Sequence, residues 1–328
     1  MRSLKWYGLA VFLSTLIIPL LLNAIFVKDQ KNQPDAQINP DIANMQIKLY
    51  RTQSGSVEMI NCYDYIVGVV MAEMPSGYNS EALKAQAVAA FTYTVNKMEK
   101  SQTSDHNGGY VCDDYNHCKA YLSKDDAEQK FGSSFDSAYF KISQAVTQTL
   151  GKVITYQNEP INAVFHSISG GVTASAKEIW GSDIAYLQSV NCDFDKSANG
   201  YQSTVKLSAD EFSAVFYEQL GVVLPQNTDE WLGDITRFDS GTVDKITIAG
   251  TEYQGSYVRK LFSLRSSNFE LKKNEKTFEF TVYGYGHGVG MSQNGANCLA
   301  NDGKDYIEIL KYFYKDVEIT DYKIQKNV

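Results

Sequence analysis

The chain has 328 residues, 44% of them hydrophobic and 21% charged, enough for one large core or two modest ones. The net charge is −8, and the Lys and Arg side chains form no stripe. Binding nucleic acid requires clustered cations to neutralise phosphates, so that class of function is excluded.

Arg2 and Lys5 precede an apolar run over 8–27, broken only by Ser14, Thr15, Pro19 and Asn23. A helix of about 20 such residues crosses the hydrocarbon core of a bilayer. Positive charge ahead of it keeps residues 1–7 as a cytoplasmic stub. A cleavable signal peptide would have a shorter apolar centre and small residues at its cleavage site, and this run lacks a clean Ala-x-Ala. The expectation is an uncleaved single-pass transmembrane anchor at 8–27, with the rest of the chain outside the cytoplasm. Residues 28–44 are polar, contain Pro34 and Pro40 and show no hydrophobic period, so they read as a flexible tether. The folded domain is expected over 45–328.

Within it, residues 46–51 alternate polar and apolar, which predicts a strand. Asp64 is placed to cap a helix over 65–73. That helix is apolar nearly all round, which predicts burial, and Pro75 ends it by biasing Met74 away from helical geometry. A second helix is expected over 80–97, where Ala82, Ala85, Ala87, Ala89 and Ala90 favour helix and let a neighbouring backbone approach. Residues 101–121 read as a loop. Strands follow around Ile154 and Val164-Phe165. Ser208 with Glu211 is a capping-box helix start. Residues 245–248 and 278–283 look like strands, and 307–314 like a last short helix. The mixed order argues an α+β fold.

Four clusters can carry chemistry. Glu73 ends the apolar helix, where burial and the negative end of the helix dipole both disfavour an ionised carboxylate, as suits a general acid. The alternative is an exposed glutamate that merely ends a helix. Gly284, Gly286, Gly288 and Gly290 fall at every second position. An extended segment of this kind has one face without side chains, against which a ligand or another strand must lie. Its other face carries Tyr285, His287, Val289 and Met291, and Ser292 can cap a following helix. Third, Val164-Phe165-His166-Ser167-Ile168-Ser169-Gly170-Gly171 precedes Trp180-Gly181. Adjacent strand residues point to opposite faces, so His166 and Ser167 cannot easily form a nucleophilic dyad; they read as substrate lining. Fourth, His106, Cys112, His117 and Cys118 share one loop. Two thiols and up to two imidazoles suit tetrahedral zinc, while a Cys112–Cys118 disulfide is the alternative outside the cytoplasm. Zinc there could be structural or could reach the active site.

Together these segments resemble the stage II sporulation protein D family. The resemblance is carried by Ala72-Glu73-Met74-Pro75 with the helix from Glu81 to Ala90, by His166-Ser167 with Ser169-Gly170-Gly171 and Trp180-Gly181, by Leu264-Arg265-Ser266-Ser267, and by Gly286-His287-Gly288-Val289-Gly290-Met291-Ser292-Gln293 with Gly295-Ala296. The resemblance implies a membrane-anchored lytic transglycosylase that cuts peptidoglycan strands, stripped of stem peptides, during spore engulfment, on the mother-cell side of the engulfing membrane. It implies Glu73 as the catalytic residue, and as partners an amidase (stage II sporulation protein P) and a membrane scaffold (stage II sporulation protein M). Tyr78, His166, Ser167, Ser169, Arg265, His287, Ser292 and Gln293 are the expected substrate-binding residues. Phe91 stands where many relatives carry arginine, and Asn294 where tyrosine is usual. A glycan hydrolase, a non-catalytic glycan-binding scaffold and a zinc amidase are the competing readings.

Overall fold

The computed structural model describes residues 38–100, 106–115, 117–275 and 277–324. The expected stub, anchor and first part of the tether lie outside them. Among the described residues no helix is long and apolar enough to cross a membrane.

The folded unit begins at Asn39, six residues earlier than expected. Pro40–Ala43 forms a single turn, α1, inside the stretch read as tether. The Asn39 side chain accepts from the Asp41 N–H at 3.0 Å, and Ile42 is 4% exposed. One apolar side chain that reaches the core is enough to dock a capped turn, and the polar composition around it hides the signal.

Strand β1 (Gln46–Arg51) pairs antiparallel with β2 (Ser56–Asn61), and its alternation buries Ile47 and Leu49 completely. Helix α2 (Cys62–Glu73) starts at Asn61, which makes no side-chain cap bond. Asp64 sits in the first turn instead of capping it, where its charge still meets the helix dipole. Met74 leaves helical geometry at φ −115° and ψ 137°, as the following Pro75 requires.

Helix α3 (Ser80–Lys100) is buried on all sides over residues 82–83 and 85–96. Its small alanines admit close neighbours on every face, so it can serve as the axis of the core. After it come β3 (Val111–Cys112), α4 (Lys124–Phe131) and α5 (Phe135–Thr149). The two helices add to the expected elements, and α5 turns Phe135, Ala138, Ile142, Ala145 and Val146 inward. Strands β4 (Lys152–Tyr156), β5 (Glu159–Pro160) and β6 (Phe165–His166) and the short helix α6 (Ala176–Trp180) complete this half.

The chain then builds a second lobe: β7 (Gln202–Ser208), α7 (Ala209–Leu220), β8 (Leu232–Arg237), β9 (Val243–Ile248), β10 (Thr251–Gln254), α8 (Gly255–Leu261), β11 (Phe269–Asn274) and β12 (Thr277–Tyr283). Two three-stranded sheets, β10-β9-β8 and β11-β12-β7, enclose a separate core centred on Phe212. That ring lies 4.5 Å from Phe278 and 4.8 Å from Phe262. The Ser208–Glu211 capping box forms as expected. The chain returns to the first core through β13 (Met291–Ser292), α9 (Gln293–Asn301), α10 (Tyr306–Phe313) and β14 (Glu318–Asp321). Strand β13 runs parallel to β6, which joins the last motif to the central one. The α+β expectation holds, with two hydrophobic cores in one folded unit.

Burying Ile42 is worth roughly 1.5–3 kcal/mol. A chain beginning at residue 45 should therefore melt a few degrees below one beginning at 38 by differential scanning calorimetry, and equal melting temperatures would show that α1 adds nothing.

Candidate active site and metal-binding loop

Glu73 is partly buried, and both of its oxygens are engaged. Oε1 accepts the Ala120 N–H at 3.0 Å, and Oε2 accepts Nε2 of Gln293 at 3.1 Å. The same amide nitrogen lies 3.5 Å from Oε1 of Gln86. The sequence flags a carboxyl group at a helix end; the structure adds donors to both oxygens.

The Ala120 contact depends on a glycine. A Cβ at Gly68 would lie 2.4 Å from the Leu122 carbonyl and 2.5 Å from the Tyr121 ring. Without one, the Leu122 N–H reaches the Gly68 carbonyl at 3.3 Å, and the loop lies flat on α2. Next to Ala120, Lys119 is buried, with its ammonium 3.7 Å from the centre of the Phe165 ring and 4.6 Å from that of Tyr93. Burial pulls its pKa down to about 8, against the opposing pull of Glu73. Lys119, Ala120 and Gln86 escape the sequence reading. Gln86 alone leaves a signal, as a polar residue in the alanine-rich run.

The segment that delivers Gln293 also pairs with His166, one of two histidines of defined tautomer. Nδ1 of His166 faces the Val289 carbonyl at 3.1 Å, so it must carry the proton, and Nε2 is a buried acceptor with no partner. In His287 the roles reverse: Nδ1 accepts the Val289 N–H at 3.1 Å. Burial holds the His166 pKa down at about 4 and that of His287 well below its usual value. The two rings lie 5.8 Å apart, and His287 is 5.5 Å from Trp180. Arg265 stacks 4.2 Å above Tyr285.

The alternating glycines serve packing against another segment. A Cβ at Gly290 would lie 2.2 Å from the Val164 carbonyl, and one at Gly286 2.7 Å from Cβ of His166. All four glycines have positive φ, so the stretch is a series of left-handed steps and not the extended strand expected.

Two expected groove residues are committed elsewhere. Ser169 is buried, and its hydroxyl accepts the Gly171 N–H. Ser292 caps α9 through the Gly295 N–H at 3.1 Å. Both turn to Asp195, a fully buried residue that the sequence does not flag. Asp195 Oδ2 accepts the Ser169 N–H at 2.7 Å and the Ser292 hydroxyl at 2.6 Å, and Oδ1 accepts the Asn294 amide at 2.8 Å. The Asn294 carbonyl oxygen lies 3.5 Å from the Tyr78 hydroxyl, and its N–H donates to the Ser167 carbonyl. Gln293 thus meets Glu73 directly, Tyr78 joins through Asn294, His166 and His287 form a pair of rings, and Arg265 stacks on Tyr285. Phe91, the other departure from the family pattern, is a fully buried core residue packed edge-on against Tyr322.

His106, Cys112, His117 and Cys118 bring one ligand atom each to within 4.8 Å of one another. All five cysteines are free thiols, so the Cys112–Cys118 disulfide is not formed. Zn–S bonds of about 2.3 Å and Zn–N bonds of about 2.0 Å give tetrahedral S···N edges of about 3.5 Å. Here Cys118 lies 3.4 Å from His106, and Cys112 and Cys118 lie 3.5 and 3.8 Å from His117. The two imidazole nitrogens are closer, at 2.9 Å. The donor set fits zinc. A hydrogen bond from Cys112 holds the Cys118 thiol low and the Cys112 thiol high. Strand pairing of Cys112 with Tyr50 fixes one end of the loop, and Ala120 carries the other to Glu73.

A family profile described as Stage II sporulation protein matches residues 50–156. Stage II sporulation protein D of Bacillus subtilis (strain 168) is 39% identical over 278 residues, spanning 84% of this chain and 79% of the relative. Its counterpart in Bacillus amyloliquefaciens is 40% identical over 279 residues, with the same coverage of 84% and 79%. The amidase enhancer of Bacillus subtilis (strain 168) is 27% identical over 313 residues, spanning 78% of this chain and 40% of that protein.

The metal loop and the buried histidines each generate a prediction. Zinc should copurify at about one per chain, as four protein ligands imply, and Cys118→Ser should abolish it in elemental analysis and lower the melting temperature. Unchanged stability on metal loss would sever the loop from the fold. The unfolded chain protonates its histidines near pH 6.5, whereas folded His166 resists until about 4. The unfolded state therefore binds more protons in that window, and stability falls as pH falls through it. Melting temperature against pH should show this slope, and His166→Gln should reduce it, with His287 supplying the remainder.

Proposed function

Because this chain belongs to the stage II sporulation protein D family, we propose that it remodels the cell wall in sporulation as a lytic transglycosylase. The relatives named stage II sporulation protein D support the sporulation role. The observation that carries the enzymatic reading is the pair of donors from two separate segments, Ala120 and Gln293, on the two oxygens of one carboxyl group. The other carboxyl group of this region, Asp195, is fully buried and occupied by donors from Ser169, Ser292 and Asn294.

Ordinary glycosidases divide the work between two carboxyl groups. With one available, Glu73 takes both parts. Protonated, it gives its proton to the oxygen bridging N-acetylmuramic acid and N-acetylglucosamine, and positive charge develops on the muramic ring. Ionised, it then accepts the proton of the muramic 6-hydroxyl as that oxygen closes on C1. The bond to the leaving sugar breaks, a 1,6-anhydro ring forms and no water is consumed. The 6-hydroxyl is tethered to the reacting sugar, which gives it an effective concentration that bulk water cannot match. In this reading Tyr78 and His287 line the groove, and buried His166 packs beside His287. Zinc, when bound, holds the loop of His106, Cys112, His117 and Cys118. Four protein ligands close such a site, which argues against a zinc amidase. The proposal includes substrate strands already stripped of stem peptides, an anchor over 8–27 holding the enzyme to the outer face of a membrane, and stage II sporulation proteins P and M as partners.

The similarity to a protein named amidase enhancer favours a second reading, in which the chain binds wall glycan and assists an amidase without cutting strands itself. Mass spectrometry of peptide-free glycan strands treated with the parent protein and with Glu73→Gln separates the two. Anhydro-ended fragments should appear with the parent and fall by at least about 10²-fold with the variant, as for general acid–base catalysis. Strand binding without fragments would favour the assisting role, and fragments with reducing ends would indicate hydrolysis.

A further inference from the structure

A cleft of about 360 Å³ opens between α6 of the first lobe and the second lobe. Lys177 and Trp180 line one wall, and Phe238, Asp244, Gln254 and Ser256 stand among the residues of the rest. Ligand sites run from about 300 to 1,000 Å³, so this volume suits one or two small rings and not a folded partner.

Both walls are held in place. Ser175 and Glu178 form a capping box at the start of α6, with the Ser175 N–H on the Glu178 carboxylate at 2.8 Å. The Ala174 N–H donates to the Gly288 carbonyl at 2.8 Å, which ties the Trp180 segment to the one carrying His287. On the other side α8 starts hard against β9, where a Cβ on Gly255 would lie 2.2 Å from the Val243 carbonyl. A cleft with fixed walls loses little freedom when it is filled.

Its lining points to the class of ligand. Trp180 is 43% exposed, a large apolar ring in a cleft that also presents hydroxyl, amide and charged groups. A pyranose has the matching character: an apolar C–H face for the indole and a polar rim for Gln254, Ser256 and Asp244. Lys177 stands with two carboxylates, Glu178 and Asp244, in the lining, a net negative balance that disfavours an anionic ligand and suits a neutral one. The location fits as well, because Trp180 stands 5.5 Å from His287, which stands 5.8 Å from His166. His166 in turn pairs with Ser292, whose neighbour Gln293 donates to Glu73, so the cleft is joined to the site through this segment.

We propose that this cleft is a distal subsite holding a neutral N-acetylated sugar of the same strand whose scissile bond lies at Glu73. The proposal rests on the glycan reading of the site and adds to it a preference for strands long enough to reach both places.

The test uses the full chain carrying Glu73→Gln, so that strands stay intact, titrated by calorimetry with peptide-free glycan strands and with the N-acetylglucosamine–N-acetylmuramic acid disaccharide. Adding Trp180→Ala should weaken strand binding roughly tenfold, about 1.4 kcal/mol for one stacked ring, and leave disaccharide binding unchanged. Gln254→Ala, at an exposed position, should weaken strand binding by a smaller factor and guards against a folding defect at Trp180. Strand affinity within roughly twofold of the parent in both variants overturns the subsite and leaves the glycan reading standing. Dependence on Trp180 only for strands that carry stem peptides overturns it too, since the cleft would then read peptide. If strands neither bind to the Glu73→Gln chain nor are cut by the parent, the glycan reading fails and the subsite with it.

Discussion

A carboxyl group taken wholly out of water must be met by donors, or the fold bears the cost of its desolvation. Asp195 is in that position, and its donors come from segments far apart in the chain: the Ser169 backbone in the central motif, and the Ser292 hydroxyl and Asn294 amide in the last. The same side chains cap α9 and reach Tyr78. Parallel pairing of β6 with β13 fixes the register of the two motifs, and Asp195 closes them from the side. Gln293, between Ser292 and Asn294, is held on both flanks, so its amide is delivered to Glu73 by a frame and not by its own rotamer preference.

The opposite side of Glu73 is built by a different device. Residues 119–122 dock through Tyr121, stacked on Tyr65, and Leu122, yet they must also lie close enough to α2 for a backbone N–H to meet a carboxylate. Gly68 allows the approach, and Cys118 of the His/Cys cluster directly precedes the Lys119-Ala120 pair that makes the contact. A metal at that cluster would restrain the loop from one end while Leu122 on Gly68 restrains it from the other. It would act on the chemistry only through position, since Ala120 and Lys119 are the groups presented to Glu73.

What could be read from the sequence follows from how local each signal is. The β1 alternation, the buried α2, the break at Pro75 and the capping box at Ser208 are set by neighbours in the chain, and they appear where expected. The alternating glycines were legible as a close approach, but their positive φ values depend on the path of the Val164–Ser169 segment, which no local pattern encodes. Asp195 sits among unremarkable polar residues and gains its role only when Ser169 and Ser292 are folded against it. Lys119 reads as an ordinary loop lysine until Phe165 and Tyr93 enclose it. The second lobe was hidden for another reason: its strands and helix were visible singly, but nothing local says that they close around Phe212 instead of joining the first core.

The chemistry proposed for Glu73 requires it to hold a proton at one stage and to lack it at the next. Ala120 offers only an N–H, and a backbone donor cannot change its character. Gln293 can, because its amide has a donor end and an acceptor end of nearly equal shape. With Nε2 toward Glu73 it serves the carboxylate, as in the present arrangement; turned over, its carbonyl would accept from the acid. Such a turn would set its carbonyl against Oε1 of Gln86, so Gln86 would turn over with it, and the Gln86 Nε2, buried without a partner in the present arrangement, would then donate to Gln293. An orphaned donor inside a core is a cost in one state, and in this site it is the group that the other protonation state of Glu73 would satisfy. In the proposed reaction, two glutamines turning over in series would let a single carboxyl group work in both directions without a second acid beside it.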